Sequence, residues 1–264
     1  MCELLGISAK QRRAFNAVLR EFFSHAEQNP HGWGLARFTD ADGVRLPQPL
    51  VDKEPCKATT SERLRVLLDA GVEERVLLAH IRFASVGHPE RVNCHPFTAT
   101  DSSGRVWTLI HNGTIFNGVA LNGYLNIQLG TTDSERVLLY LVDRIDRAQA
   151  QAGRSLDADE RFKVLAAEIA ALAAGGNKLN LLIYDGEMMY VHTNLRGTLH
   201  YCQDGDALIF STKPLSTGTW TPVPFTRLLA VQDGAFIREA PSHGYEYVYD
   251  PEDYRYIYMG YAML

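Results

Sequence analysis

The chain has 264 residues, 46% of them hydrophobic and 22% charged, an ordinary globular composition with apolar material for one large domain or two small ones. Its net charge is −5 with acidic and basic residues interspersed, which excludes the basic block of a nucleic-acid binder, and no apolar run approaches the roughly 20 residues of a membrane-spanning helix. Ala9-Lys10-Gln11-Arg12-Arg13 interrupts any signal-peptide core, and Cys2, Cys56, Cys94 and Cys202 follow no paired spacing, so they read as reduced thiols in a cytoplasm.

Glu3-Leu4-Leu5-Gly6 reads as a short strand ended by Gly6, and Ser8 as the N-cap of a helix running to about Gln28. Phe15, Val18, Leu19, Phe22 and Phe23 form one stripe at helical spacing, and Asn29-Pro30 ends it. His31-Gly32-Trp33-Gly34 leads into a strand over Leu35 to Phe38, with glycines on both sides of Trp33 that point to a close backbone approach. A turn at Asp40 to Gly43 and an extended piece near Leu46 to Val51 follow. Ser61 caps a second helix with Leu64, Leu67 and Leu68 inward, ending before Gly71. Arg75 to Ile81 is a buried strand with Arg82 at its exit, and a loop from Ser85 to Pro96 carries His88, Asn93, Cys94 and His95.

Val106 to Ile110 is a strand that runs into His111-Asn112-Gly113-Thr114. Thr132-Asp133-Ser134-Glu135 has the pattern of a capping box and opens a helix whose inner face holds Val137, Leu138, Leu141, Val142 and Ile145. A polar linker from Ala148 to Ser155 leads to an alanine-rich helix over Asp157 to Ala174, stopped by Gly175-Gly176. Beyond Leu179 the pattern is of strand pairs around Asp185-Gly186, Asp204-Gly205-Asp206 and Asp233-Gly234. The last stretch holds seven of the twelve tyrosines, partly in alternation, which suggests an extended segment with an aromatic face covering the domain or a second copy of the chain. Strands, then helices, then strands predict two sheets with helices outside them in one domain spanning 1–264.

Cys2 is the residue around which the chemistry is organised. Removal of Met1 would leave a thiol and a free α-amine on one residue, and with reference pKa values of about 8.5 and roughly 7.7–8.0 they form a nucleophile and its base. Asn112-Gly113 offers a side-chain amide beside a backbone N–H without a Cβ, two donors suited to an oxyanion, although Asn-Gly is also a common turn pair. Arg82 is suited to bidentate carboxylate binding and Asp133 to an ammonium, while each has a structural reading as an ion pair or a helix-dipole partner. His95 could donate to a substrate or satisfy backbone. No zinc spacing, phosphate-binding glycine loop or Gly-x-Ser-x-Gly elbow is present, so no metal or cofactor is expected.

Taken together, Met1 to Gly6, His31-Gly32-Trp33-Gly34, Ala79-His80-Ile81-Arg82, Asn93-Cys94-His95-Pro96-Phe97, His111-Asn112-Gly113 and Thr132-Asp133-Ser134-Glu135 resemble, in order, the class II (N-terminal-nucleophile) glutamine amidotransferases of the stand-alone bacterial type. The stretch from Asn180 to Gly234, with Ser211-Thr212-Lys213-Pro214-Leu215, is similar too. The resemblance implies an α+β, four-layer αββα sandwich. It implies Cys2 as nucleophile after loss of Met1, with its α-amine as base, and Asn112 and Gly113 as the oxyanion hole. Arg82 would hold the α-carboxylate of glutamine and Asp133 its α-ammonium, with Ser85 and His95 lining the pocket. Ser85 stands where many relatives have threonine, and Val86 where aminotransferring relatives often have histidine.

The expected reaction is cleavage of the γ-amide of glutamine through a γ-glutamyl thioester. Alternatives are hydrolysis of another γ-glutamyl amide and a non-catalytic glutamine-binding regulator. No acceptor module is recognisable after the domain, so an ammonia-accepting partner protein is expected, and a homodimer is plausible from the tyrosine-rich tail.

Overall fold

The protein is described from a computed structural model covering residues 2–39, 46–84 and 87–252. In chain order, the first half contains β1 (Glu3–Ala14), α1 (Asn16–Ser24), β2 (Trp33–Phe38), β3 (Pro49–Glu54), α2 (Glu62–Ala70), β4 (Glu73–Ile81), β5 (Phe97–Thr100) and β6 (Val106–His111). Then come α3 (Asp133–Ala152), α4 (Ala158–Ala174), β7 (Asn180–Tyr184), β8 (Met189–Thr193), β9 (His200–Asp204), β10 (Ala207–Ser211), β11 (Thr221–Pro222), β12 (Arg227–Gln232) and β13 (Ala235–Glu239). A seven-stranded antiparallel sheet has the order β11-β9-β10-β1-β4-β2-β3, and a six-stranded one the order β13-β12-β8-β7-β6-β5.

Three apolar layers hold four layers of structure together. Leu5, Ile7, Leu35, Leu77 and Ala79 face Leu19, Phe22, Phe23, Leu64 and Leu68 of α1 and α2. Leu4, Ala36, Leu78 and Phe210 of the first sheet meet Ile110, Leu182, Met189 and Val191 of the second. Leu109, Leu181, Ile183 and Tyr190 pack against Val137, Leu141, Ile145, Leu165 and Ile169 of α3 and α4. The result is the expected αββα sandwich, because strand alternation gives each sheet two apolar faces and the amphipathic helices cover the outer ones. No helix among the described residues is long and apolar enough to cross a membrane.

The largest departure from the sequence reading is at the N-terminus. Neither Gly6 ends the first strand nor does Ser8 cap a helix: β1 runs on to Ala14, pairing with β4 through a register shift between Ser8 and Arg13. Gly6 serves packing instead, since a Cβ there would lie 2.7 Å from Leu182 Cδ1 across the sheet interface. The helix starts only at Asn16, whose side chain donates to Leu68 O (2.6 Å) and accepts from Val72 N (2.9 Å), and it ends at Ser24.

The supposed linker from Ala148 is helical to Ala152, with Gly153 in the left-handed region as its stop. The edge strand β5 escaped the sequence reading. The cap of α2 is as expected, Ser61 Oγ accepting from Leu64 N at 3.0 Å. The turn at Asp40 to Gly43 lies outside the described residues, as do Tyr254, Tyr256 and Tyr258. The described part of the tyrosine-rich segment forms no strand but docks by Tyr247, buried and stacked on Phe116 with ring centroids 5.6 Å apart.

Candidate active site

Cys2 lies one residue before β1, and β1 is pinned at its start. Glu3, almost wholly buried, accepts from Lys213 Nζ (2.5 Å) and Asn29 Nδ2 (3.4 Å) and pairs with His25 Nδ1 at 2.8 Å. Leu4 N donates to Thr212 Oγ1 at 2.8 Å. Pairing of Glu3 with Ile81 carries Cys2 to the exit of β4, where the Phe83 N–H donates to its sulfur at 3.2 Å and the thiol faces Phe83 O at 3.3 Å. Burial pushes the thiol pKa up, while the Phe83 hydrogen bond and the charges of Arg82 and Lys178 act to lower it.

Arg82 follows β4 and is buried, its guanidinium donating to the carbonyls of His88 (3.1 Å) and Gly87 (2.8 Å). Its main chain pairs with Gly32 and His31, and His31 Nδ1 accepts from Ala84 N at 3.0 Å. The glycines of His31-Gly32-Trp33-Gly34 act as the sequence suggests: a Cβ on Gly34 would fall 1.9 Å from His95 O, and one on Gly32 2.6 Å from Cys94 Sγ. Lys53 fixes the same loop by donating to Cys94 O (2.7 Å) and Pro96 O (3.0 Å). His95 is buried within this layer, stacked on His80 with centroids 4.0 Å apart, and burial pushes the pKa of both rings far down, that of His80 to about 3.

The candidate oxyanion loop leaves the end of β6. Asn112 N donates to Asn180 O (2.9 Å), and Thr114 and Lys178 exchange main-chain hydrogen bonds at 3.1 and 3.0 Å. His111 Nε2 donates to Lys178 O (3.1 Å), which leaves Nδ1 to accept from Ser134 Oγ (3.0 Å). Gly113 sits where a Cβ would lie 1.9 Å from Lys178 O and 2.2 Å from His111 Nε2, so close approach rather than an unusual φ requires glycine there.

Asp133 is buried at the first turn of α3, accepting from Ile115 N and Ser134 N, each at 2.9 Å, and so ties the loop after Gly113 to the helix. The capping box is only half formed. Thr132 Oγ1 caps Glu135 N (3.3 Å), but the Glu135 carboxylate turns to Leu129 N (2.7 Å) and Gly130 N (2.8 Å) because those loop amides lie closer. Asn93 joins the two halves of the site: its Nδ2 donates to His88 O (3.1 Å) and Thr131 Oγ1 (3.2 Å), and its Oδ1 accepts from Thr131 N (2.7 Å).

The fold therefore brings Cys2, Arg82 and the Phe83 amide together and ties Asn112, Gly113 and Asp133 into one loop–helix unit. His95 sits in the layer behind Arg82, and Ser85, like Met1 and Val86, lies outside the described residues. Sequence reasoning missed Lys178, Glu3 and Asn93 as site-forming residues. The available signal for Lys178 was a lone cation two residues before a wholly buried strand, and nothing local marks Glu3.

A family model for the class II glutamine amidotransferases matches residues 1–205. An uncharacterised protein of Methanocaldococcus jannaschii is 29% identical over 266 residues, covering 90% of this chain and 71% of its own length. A candidate glutamine amidotransferase of Escherichia coli, YafJ, is 30% identical over 209 residues, covering 74% of each chain. Among solved structures, the glutamine phosphoribosylpyrophosphate amidotransferase of B. subtilis superposes with a TM-score of 0.64 at 17% identity over 90% of this chain. This chain spans only 49% of that enzyme's length, and the likeness is one of fold. With the match over residues 1–205, the chain belongs to the class II glutamine amidotransferases.

Proposed function

We propose that this protein cleaves the γ-amide of glutamine with Cys2 as an N-terminal nucleophile freed by removal of Met1, residues 1–264 acting as one amidotransferase unit. The observation that carries the reading is the placement of Cys2 at the exit of β4, where the Phe83 amide donates to its sulfur at 3.2 Å directly after Arg82. Arg82 and Asp133 clamp the two charged ends of the amino acid, which makes attack at its side chain effectively unimolecular. In this reading Ser85, by its place in the family pattern, would line the pocket, and His95 would support it from the layer behind Arg82.

The Cys2 thiol proton passes to the α-amine as sulfur adds to the amide carbon, and Asn112 with Gly113 receives the oxyanion. Collapse breaks the C–N bond, the α-ammonium protonates the departing ammonia, and a γ-glutamyl thioester remains. Water, deprotonated by the amine, then adds to the thioester. The sulfur recovers its proton, and glutamate leaves. Familial kinship supports a glutamine-utilising site, and the half-buried thiol supports attack within it.

The test is glutamate release from glutamine by the purified chain, with loss of Met1 verified by intact mass, beside its Cys2→Ala variant. Release that depends on Cys2 is the expected result. Equal release by both proteins would overturn the mechanism, and no release by either would overturn glutamine as the substrate.

A further inference from the structure

In His31-Gly32-Trp33-Gly34 close approach accounts for both glycines, whereas the proposed reaction leaves His31 unused. His31 is half-buried and stands two residues before β2, where main-chain pairing lays it beside the exit of β4. Its N–H donates to Arg82 O at 3.1 Å, and Arg82 N donates to Gly32 O at 2.8 Å. Its ring lies against Phe83, with centroids 5.3 Å apart, and its Nδ1 accepts from Ala84 N at 3.0 Å. One residue thus grips three consecutive residues of the turn that meets Cys2.

Ala84 N–H and Phe83 C=O belong to one planar trans peptide unit, so they point to opposite sides of it. On one side His31 holds the N–H, and on the other the carbonyl faces the Cys2 thiol at 3.3 Å. The preceding peptide unit supplies the Phe83 N–H that donates to the same sulfur at 3.2 Å. β4 ends at Ile81, and past it the N–H of the buried Ala84 takes a side-chain acceptor. Nδ1 can accept only while unprotonated, which puts the ring proton on Nε2. Burial, and after it the Arg82 charge, lower the His31 pKa and so keep the ring in that neutral form.

We propose that His31 is a positioning residue for the Cys2 nucleophile. By accepting from Ala84 N it fixes the peptide plane whose carbonyl faces the thiol, and with it the turn whose amide donates to the sulfur. No proton passes through the ring. The thiol proton still goes to the α-amine, and the Phe83 N–H then faces the charge that develops on sulfur. The inference rests on Cys2 being the nucleophile.

The test compares three variants that differ in where they offer an acceptor. The Oδ1 of His31→Asn takes the place of Nδ1, the amide of His31→Gln reaches the place of Nε2 instead, and His31→Ala offers none. Iodoacetamide alkylation of Cys2 at neutral pH is followed by mass spectrometry of the N-terminal peptide, with Cys2→Ala as blank and thermal melts to select folded variants. Because the Phe83 hydrogen bond lowers the thiol pKa, loosening the turn is expected to slow the alanine and glutamine variants about tenfold, equivalent to about one pH unit. The asparagine variant is expected to stay within about twofold of wild type. A merely structural role would lower melting temperatures without separating asparagine from glutamine.

A folded alanine or glutamine variant that alkylates at the wild-type rate overturns the role of His31, and so does an asparagine variant as slow as alanine. Imidazole 15N spectra of the wild-type protein are expected to show the His31 proton on Nε2, and a neutral ring protonated at Nδ1 overturns the bond to Ala84. Each of these outcomes leaves Cys2-dependent glutamate release as a separate result. Glutamate release that survives Cys2→Ala overturns the nucleophile itself, and the inference falls with it.

Discussion

At the scale of single residues, the candidate site is shaped as much by missing atoms as by functional groups. Gly34 admits the His95 carbonyl and Gly113 the Lys178 carbonyl, each at a distance where a Cβ would fall within 1.9 Å of oxygen. Backbone carbonyls cannot swing aside as a flexible side chain can, so Gly113→Ala must displace the loop that carries Asn112. Overpacking of this kind typically costs about 1–3 kcal/mol of stability. We expect urea unfolding of Gly113→Ala to show a loss in that range, and glutamate release to fall far more than the fraction unfolded explains. A variant with wild-type turnover would mean that the close approach at position 113 is irrelevant to the reaction.

At the scale of elements, the loops that present Arg82 and Asp133 are joined through Asn93, which is fully buried and bonded to both. Asn93→Ala removes the side-chain bonds that tie His88 O to Thr131 Oγ1 and Thr131 N, each bond worth roughly 0.5–1.5 kcal/mol. Because Arg82 donates to the carbonyls of His88 and Gly87, loosening that loop should release the arginine before it touches the nucleophile. The expected outcome is a raised KM for glutamine with a smaller change in kcat, read from steady-state glutamate release. A fall in kcat at constant KM would place the role of Asn93 elsewhere.

The C-terminal strap is a second device at this scale. Tyr245 N donates to His243 Nδ1 (3.0 Å), His243 Nε2 meets His192 Nε2 (3.0 Å), and His192 Nδ1 faces Leu179 O (3.0 Å). The chain of bonds closes only if both rings are neutral, with His243 donating and His192 accepting between them. Burial lowers both pKa values, that of His192 to about 3.

At the scale of the whole molecule, buried histidines make the fold acid-sensitive. His80, His95, His111 and His192 are buried and their pKa values lie below the ordinary 6.5, those of His80 and His192 at about 3. A base whose folded pKa is depressed contributes no pH dependence above its unfolded pKa. Below that value the unfolded state binds protons the native state refuses, and stability falls until the folded pKa is reached. Between pH 6.5 and 5, His80 and His192 should each remove roughly 2 kcal/mol, at 1.36 kcal/mol per pH unit. Urea midpoints measured at pH 7 and pH 5 should therefore differ steeply, and the difference should shrink in His192→Gln. Equal midpoints would show that these rings are not neutral and buried as described.

What the sequence by itself determined was whatever depends on near neighbours. Apolar spacing marks the inner faces of α1 to α4, Ser61 and Thr132 mark helix starts, and Asp-Gly pairs mark the hairpins of the second half. The six short motifs, in order, were enough for the family and hence for the αββα layers, and they offered Cys2, Arg82, Ser85, His95, Asn112, Gly113 and Asp133 as candidates. Tertiary structure alone decided the rest, because the deciding partners are remote in sequence. Residues Ala9 to Ala14 form strand, despite their charges, because β4 and β10 offer β1 two edges. Glu135 completes a loop rather than a capping box because Leu129 and Gly130 present their amides to it. Cys2 meets the Phe83 amide only when β1 pairs with β4, an encounter that no local pattern encodes.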